Sequence, residues 1–429
     1  MLSARAEPLA MLRMVVPFIA VLSPEPSDAA RLATAPALAL HPPAWLDVLA
    51  PVLPFSPTLV LCARGVFFAS ALFAILGMYT RFAMPIFAAA LFYLFSIPQR
   101  TGTVLHDMHL VWFAMLLAVS PCADVWSVDA RLDAASRAPS LRYGVPLVFV
   151  RLLLACVYFF PGLWKLREGG AAWLSGDVLV AQVHAKWFVH GSIPWRFDRV
   201  PGLARVLAYL AVGCEVGFPI LALTRRGRPW ALQLGLGFHA FARLVMFIPF
   251  PSLWITYVAL LDGDRFMLLP RRVQPAAASE RFPWLPGVVG VALVACVMME
   301  GVRGRTQAWP FACYPKFSTM PAREIVDLEI DVLDRNGAHV RIDDMRGDRG
   351  ARPEAIWARV WRLGGAYGDA LDRRSLAAHV RDMAARTQQT SALAGAQRVT
   401  IARVLTATDP DDAAPEKSRQ VYAVLDGSW

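Results

Sequence analysis

Long apolar runs separated by short basic loops fill roughly the first 300 residues. A helix needs about 20 mostly apolar residues to cross a hydrocarbon core about 30 Å thick. By that ruler the pattern predicts spans near 8–23, 56–78, 82–99, 105–122, 145–166, 203–224, 229–248, 250–262 and 284–302. The first and eighth are short, which suits a tilted or re-entrant segment. Residues 173–190 mix apolar and polar positions at helical spacing, the pattern of a helix lying in the membrane interface. Arg13 interrupts the first run and no small-residue cleavage site follows at once, so that run reads as a retained helix rather than a signal peptide.

Beyond about residue 310 the pattern changes. Residues 326–342 alternate apolar and polar positions around Asp334, Arg335, Asn336 and Gly337, which is hairpin chemistry. Residues 373–388 read as an amphipathic helix, and 397–406 and 418–425 as strands. The expected architecture is therefore an all-α polytopic membrane bundle of about nine transmembrane helices over residues 1–305, with a small α+β soluble domain over 310–429. That second part carries no phosphate loop and no nucleophile motif, and no internal repeat of the kind found in transporters is visible.

Composition agrees with a bilayer: 56% of residues are hydrophobic and 18% charged, with a mean hydropathy of +0.44. The net charge of +10 does not form one basic patch, so nucleic acid is not an expected partner. The arginines sit between apolar runs instead. With the N-terminus cytoplasmic, the cytoplasmic loops hold Arg81, Arg131, Arg137, Arg142, Arg225, Arg226, Arg228, Arg265, Arg271, Arg272 and Arg281. That bias follows the positive-inside rule, puts the C-terminus extracytoplasmic, and suits a bacterial inner membrane. The six cysteines show neither metal spacing nor a disulfide framework and read as packing residues.

Charged side chains inside lipid are costly unless paired or wet, so they are the informative positions. Counting from the predicted span ends places Arg151 and Glu215 in the inner half, where they read as a structural ion pair, with His239 near them in depth. Arg64, His106, His109, Lys165 and Arg243 fall in the outer half, an excess of basic groups accompanied only by Asp107. Such an excess fits an anionic ligand, a proton-transfer site or lipid headgroups. For Lys165 two readings fit its position: a buried amine acting as a base, or a side chain snorkelling to the outer interface. His106 and His109 share a helix face but find no third ligand at metal spacing, so no metal is expected.

The run from Arg151 through Tyr158, Pro161, Gly162 and Lys165 to Leu166, followed by Trp173, Leu174 and Gly176, resembles the HTTM-domain proteins, the superfamily of the vitamin K-dependent gamma-carboxylase. His106 and Asp107 with His109, Ser120 through Asp124, Trp126 through Asp129, Glu215 with Pro219, and Phe238 with His239 follow in the same order. The resemblance covers roughly residues 8–270. It implies an inside N-terminus and outside C-terminus, and a quinone or quinol (vitamin K-like) cofactor. Its catalytic base, which deprotonates the hydroquinone, falls on Lys165. The histidine that matters at the start of the preceding helix falls on His106, with His109 its close competitor. This chain departs from the carboxylase in its short C-terminal region and in the single lysine of the run.

Two functions are carried forward. In the first, a quinol-type substrate enters from the lipid and meets Lys165 as general base. His106 or His109 bonds the substrate or relays protons, Arg64 and Arg243 stabilise the oxyanion, and His239 helps bind the ligand. In the second, the bundle is a non-catalytic lipid- or quinone-binding scaffold, and the C-terminal domain contacts a protein partner.

Overall fold

The computed structural model describes residues 3–33, 55–100, 106–132, 138–261, 282–306, 308–314, 317–337, 339–341 and 396–426. The helix expected over 373–388 and the basic residues Arg137, Arg265, Arg271, Arg272 and Arg281 lie outside them.

The helices run α1 Glu7–Leu22, α2 Glu25–Leu32, α3 Pro57–Leu76, α4 Thr80–Gln99, α5 Met108–Ala118, α6 Asp129–Leu132, α7 Leu141–Trp164, α8 Gly170–Leu174, α9 Asp177–His190, α10 Leu203–Leu223, α11 Arg228–Met246, α12 Pro251–Thr256 and α13 Trp284–Arg303. A π-helical turn, Lys165–Gly169, joins α7 to α8, and a 3-10 turn, Tyr257–Leu260, follows α12. Among the described residues five helices are long and apolar enough to cross a membrane: α3, α4, the continuous Leu141–Leu174 helix, α10 and α13. The other expected spans form shorter or more polar helices. α1 has 16 residues and a proline inside, α5 has 11, and Pro251–Leu260 is a short apolar helix. α11 keeps helical length but carries Arg228, His239 and Arg243.

Local chemistry sets these ends. Ser56 caps α3 by accepting the Leu59 N–H at 3.2 Å, Pro57 takes the first turn, and Gly77 ends it in the left-handed region. Ser140 likewise caps α7 through the Arg142 N–H. α3 leaves Leu61, Val66, Phe68 and Leu72 exposed, the face a lipid-bathed helix presents.

The chain divides into two compact units. The first comprises Met1–Leu174, Leu207–Leu244 and Ile248–Ser318. In it α13 lies along α7: Gly290 faces Phe149, Gly301 faces Phe160 and Gly304 faces Trp164. Small residues let the two backbones approach closely, and the Trp164 indole donates to the Gly301 carbonyl at 2.7 Å. Arg13, fully buried in α1, donates to the carbonyls of Ala74, Ile75, Cys122 and Trp126, capping the end of α3 and the loop beside it.

The second unit comprises Ser175–Val206, Val245–Phe247 and Thr319–Trp429. It contains one antiparallel sheet in the order β2-β1-β3-β4, with β1 Glu324–Asp334, β2 His339–Arg341, β3 Ala396–Ala407 and β4 Glu416–Asp426. The predicted hairpin is there: Asp334 accepts the Asn336 N–H at 2.8 Å, and Gly337 adopts φ +82. The first unit runs on to Ser318, and the described residues after α13 pack within it. The Trp112 indole donates to the Pro310 carbonyl, and Tyr314 packs against His109.

Candidate functional site

Lys165 opens the π turn. Such turns insert a residue into a helix, re-aim its side chains and recur at functional sites. Lys165 is only 4% exposed, and its ammonium is hydrogen-bonded to Oε1 of Glu215, itself 5% exposed. The ammonium also lies 5.2 Å from the centre of the Trp173 ring, an aromatic face that attracts a cation. Gly162, one turn earlier, has no side chain to hold α10 away. A Cβ there would come within 2.8 Å of the Glu215 Cβ. The second carboxylate oxygen, Oε2, is buried without a partner among the described residues.

This corrects the expected Arg151–Glu215 pair. Arg151 donates through Nε to the Ala259 carbonyl at 2.8 Å, while Glu215 takes Lys165. The cause is the length of the fifth helix. The sequence pattern stops it at Leu166, yet helical backbone continues to Leu174. Glu215, twelve residues into the neighbouring helix α10, comes level with Lys165 rather than with Arg151. Arg151 lies about fourteen residues, roughly 21 Å, further down α7.

One and two turns from the pair, the same α7–α10 seam carries a second polar group. Tyr158 stacks on Phe218 at 3.8 Å, its hydroxyl meets His239 Nε2 at 2.7 Å, and it is hydrogen-bonded to the Tyr257 hydroxyl. His239 also lies 4.7 Å from Phe250, whose ring is 5.4 Å from His106. His109 is fully buried. Its Nδ1 is hydrogen-bonded to the Tyr314 hydroxyl, and its neighbour Asp107 accepts from Ser252. The charge count gave no role to Tyr158, Tyr257 or Tyr314, because a tyrosine adds nothing to it, although Tyr158 lies in the run that carries the family resemblance. It gave no role to Glu300, and saw Arg13 only as an interruption of the first apolar run, although both are buried charges within apolar helices.

Arg64 and Arg243 are not joined to this group. Neither makes a hydrogen bond or ion pair among the described residues, Arg64 Nε is buried on α3, and Arg243 is exposed on α11. Nor does any group of three or more His, Cys, Asp or Glu side chains converge among the described residues.

A separate charged network ties the second unit together. Arg196 donates to Asp198 and Asp411, Arg199 adds a bond to Asp411, and His184 meets Asp198 at 2.9 Å. Burial alone would raise the Asp198 carboxyl, but the bonds from Arg196 and His184 outweigh it and bring it down to about 2. Hydrogen bonds from Arg196 and Arg199 hold the Asp411 carboxyl well below the usual range.

The family model described as the HTTM domain matches residues 45–261. No curated protein and no solved structure matches the chain.

Proposed function

The chain belongs to the HTTM-domain family and is an integral, multi-pass membrane protein, and from that premise we propose that the Lys165–Glu215 pair is a proton-transfer centre acting on a lipid-soluble substrate of the quinol type. The observation that carries this reading is a buried lysine whose acid partner comes from the neighbouring helix. Moving one proton from Nζ to the carboxylate converts an ammonium–carboxylate pair into an amine and a carboxylic acid. The net charge of the site stays at zero, so a neutral amine arises without stranding a charge in a low-dielectric interior. That amine takes a phenolic proton and leaves an oxyanion. A quinol, when bound, would supply the electrons, and His109, hydrogen-bonded through Nδ1 to the Tyr314 hydroxyl, is a candidate to bond the substrate or relay protons.

Nine crossings with the N-terminus inside and C-terminus outside remain our reading of the topology. The Ala4–Ser140 bridge supports it, since it puts the N-terminus beside the start of α7. So does the alignment of α13 with α7, which requires the chain to return between them. Arg142, Arg225, Arg226 and Arg228 then share the cytoplasmic side of a bacterial inner membrane.

The test is mass spectrometry of lipids extracted from the purified full chain and from Lys165→Ala. A quinone carried by the wild type is expected and supplies the substrate for an assay, in which Lys165→Ala should lose at least about 100-fold in turnover. Unchanged turnover ends the mechanism. One observation favours the scaffold reading: Lys165 is already neutralised, as a clamp between helices requires. On that reading Lys165→Ala leaves cellular function intact, and removal of residues 319–429, the surface for a protein partner, does not.

A further inference from the structure

The stretch that follows α13 carries an unexplained run, Trp309 through Tyr314, buried almost throughout. It is not a passive exit from the last helix. Trp309 packs 5.9 Å from Phe92, Pro310 accepts the Trp112 indole N–H, and the Cys313 N–H returns to the Arg305 carbonyl at 2.7 Å. Tyr314 then reaches His109 on α5. Three and four residues on, Phe317 and Ser318 meet the surroundings of Lys165. The Phe317 carbonyl accepts the Trp173 indole N–H at 2.8 Å, and the Ser318 hydroxyl bonds Glu168 of the π turn. Trp173 is the ring beneath the Lys165 ammonium. Tyr314 therefore touches the histidine, and Phe317 and Ser318 touch the framework of the lysine.

The hydrogen-bond inventory at Tyr314 fixes more than a contact. The phenolic oxygen already accepts the His109 main-chain N–H, at 3.4 Å. A buried phenol still needs an acceptor for its own O–H, and among the described residues His109 Nδ1 is the one within reach. Were Nδ1 to carry the proton instead, the phenolic O–H would be left buried and unmatched, at the cost of a lost hydrogen bond. So Nδ1 accepts, and a neutral imidazole must then bear its proton on Nε2. That nitrogen makes no well-formed hydrogen bond among the described residues; the Ser252 main chain is the acceptor that lies against the ring, and an incoming acceptor would compete with it.

We propose that Tyr314 is a positioning residue: by donating to Nδ1 it holds His109 in the Nε2–H form, so that the imidazole presents one fixed proton donor to whatever occupies the site. The inference rests on reading His109 as a group that faces substrate. A fixed Nε2–H donates to an acceptor oxygen, such as the carbonyl or oxyanion form of a quinone-type ring, and gives nothing to a group that can only donate.

The test reads the tautomer directly. Full-length protein with imidazole-¹⁵N histidine, purified into nanodiscs, is compared as wild type, Tyr314→Phe, Lys165→Ala and His109→Gln, the last to assign the His109 resonances. Wild type should show a protonated Nε2 and a hydrogen-bonded, unprotonated Nδ1. Tyr314→Phe should convert that pair of resonances to an averaged or inverted pattern, and 3-fluorotyrosine at 314, which keeps shape and hydroxyl, should retain the pattern with a displaced Nδ1 signal. Lys165→Ala should leave it unchanged, which separates this inference from the fate of the lysine mechanism. An Nδ1–H wild type, or a His109 spectrum indifferent to Tyr314→Phe, overturns the proposal.

Discussion

Removing the carboxylate of the Lys165–Glu215 pair is the sharpest perturbation available. In Glu215→Ala the ammonium stays at a site only 4% exposed and loses the acid that neutralises it. Breaking a buried ion pair from one side costs about 3–5 kcal/mol, because an uncompensated charge remains in low dielectric. At roughly 2–4 °C per kcal/mol for a domain of this order of size, the unfolding midpoint should fall by about 6–20 °C. The double replacement Lys165→Met with Glu215→Leu removes both charges, fills similar volume and should return to within about 2 kcal/mol of the wild type. Cysteine-reactive dye unfolding in detergent reads both, since all six cysteines are free thiols and three of them are buried. A single variant as stable as the wild type would mean that the lysine is hydrated. A double variant as poor as the sum of the singles would mean that the two side chains act independently. Either result refutes the pairing argument.

Two further outcomes follow from other parts of the molecule. Arg13→Met keeps the apolar stem but strands the carbonyls of Ala74, Cys122 and Trp126, which should destabilise the fold by about 3 kcal/mol or more; a melting point unmoved by this change would show that water replaces the guanidinium. In the second unit, Asp198 is held near 2 when folded against about 3.9 in an unfolded chain, so its contribution is complete above about pH 4 and disappears as the pH falls towards 2. After solvent screening this is on the order of 1 kcal/mol, and Asp198→Asn should flatten the acid limb of a pH–stability curve followed by tryptophan fluorescence.

What the sequence made legible was whatever depends on local pattern. Apart from the fifth, the apolar runs emerged as helices within a few residues of their expected ends, and the Asp334–Gly337 turn and the strands on either side of it followed from alternation and turn chemistry. Depth was harder to read. Hydropathy marks where a helix enters lipid, but nothing in composition announces that helical backbone runs on through Lys165–Gly169 into α8. That continuation shifted the register between neighbours and gave Glu215 to Lys165 instead of Arg151. Tyrosines were invisible for a related reason: their rings count as apolar surface, while their hydroxyls link Tyr158 to His239 and Tyr314 to His109. Arg13 lay in plain view, yet its role as a cap for another helix depends on a contact between segments more than sixty residues apart.

The shape of the backbone at Lys165 bears on which reading of the pair is right. A clamp between two helices needs only opposite charges at matching depth, and regular α-helix supplies that without strain. Here the lysine opens a π turn, which widens the helix, spoils its regular hydrogen-bond ladder and is uncommon in general. The distortion is locked in from several directions. Glu168 of the turn is bonded by Ser318, Gly169 sits against Trp173, and Trp173 is tethered to the Phe317 carbonyl. A device used only to hold helices together gains nothing from this expense, whereas a base that must face its acid and a substrate in turn gains a defined direction. If the π turn serves proton transfer, deleting one residue of it, Arg167 or Leu166, should regularise the helix, preserve or improve thermal stability and remove turnover. A deletion that leaves turnover intact would return the pair to the role of a clamp.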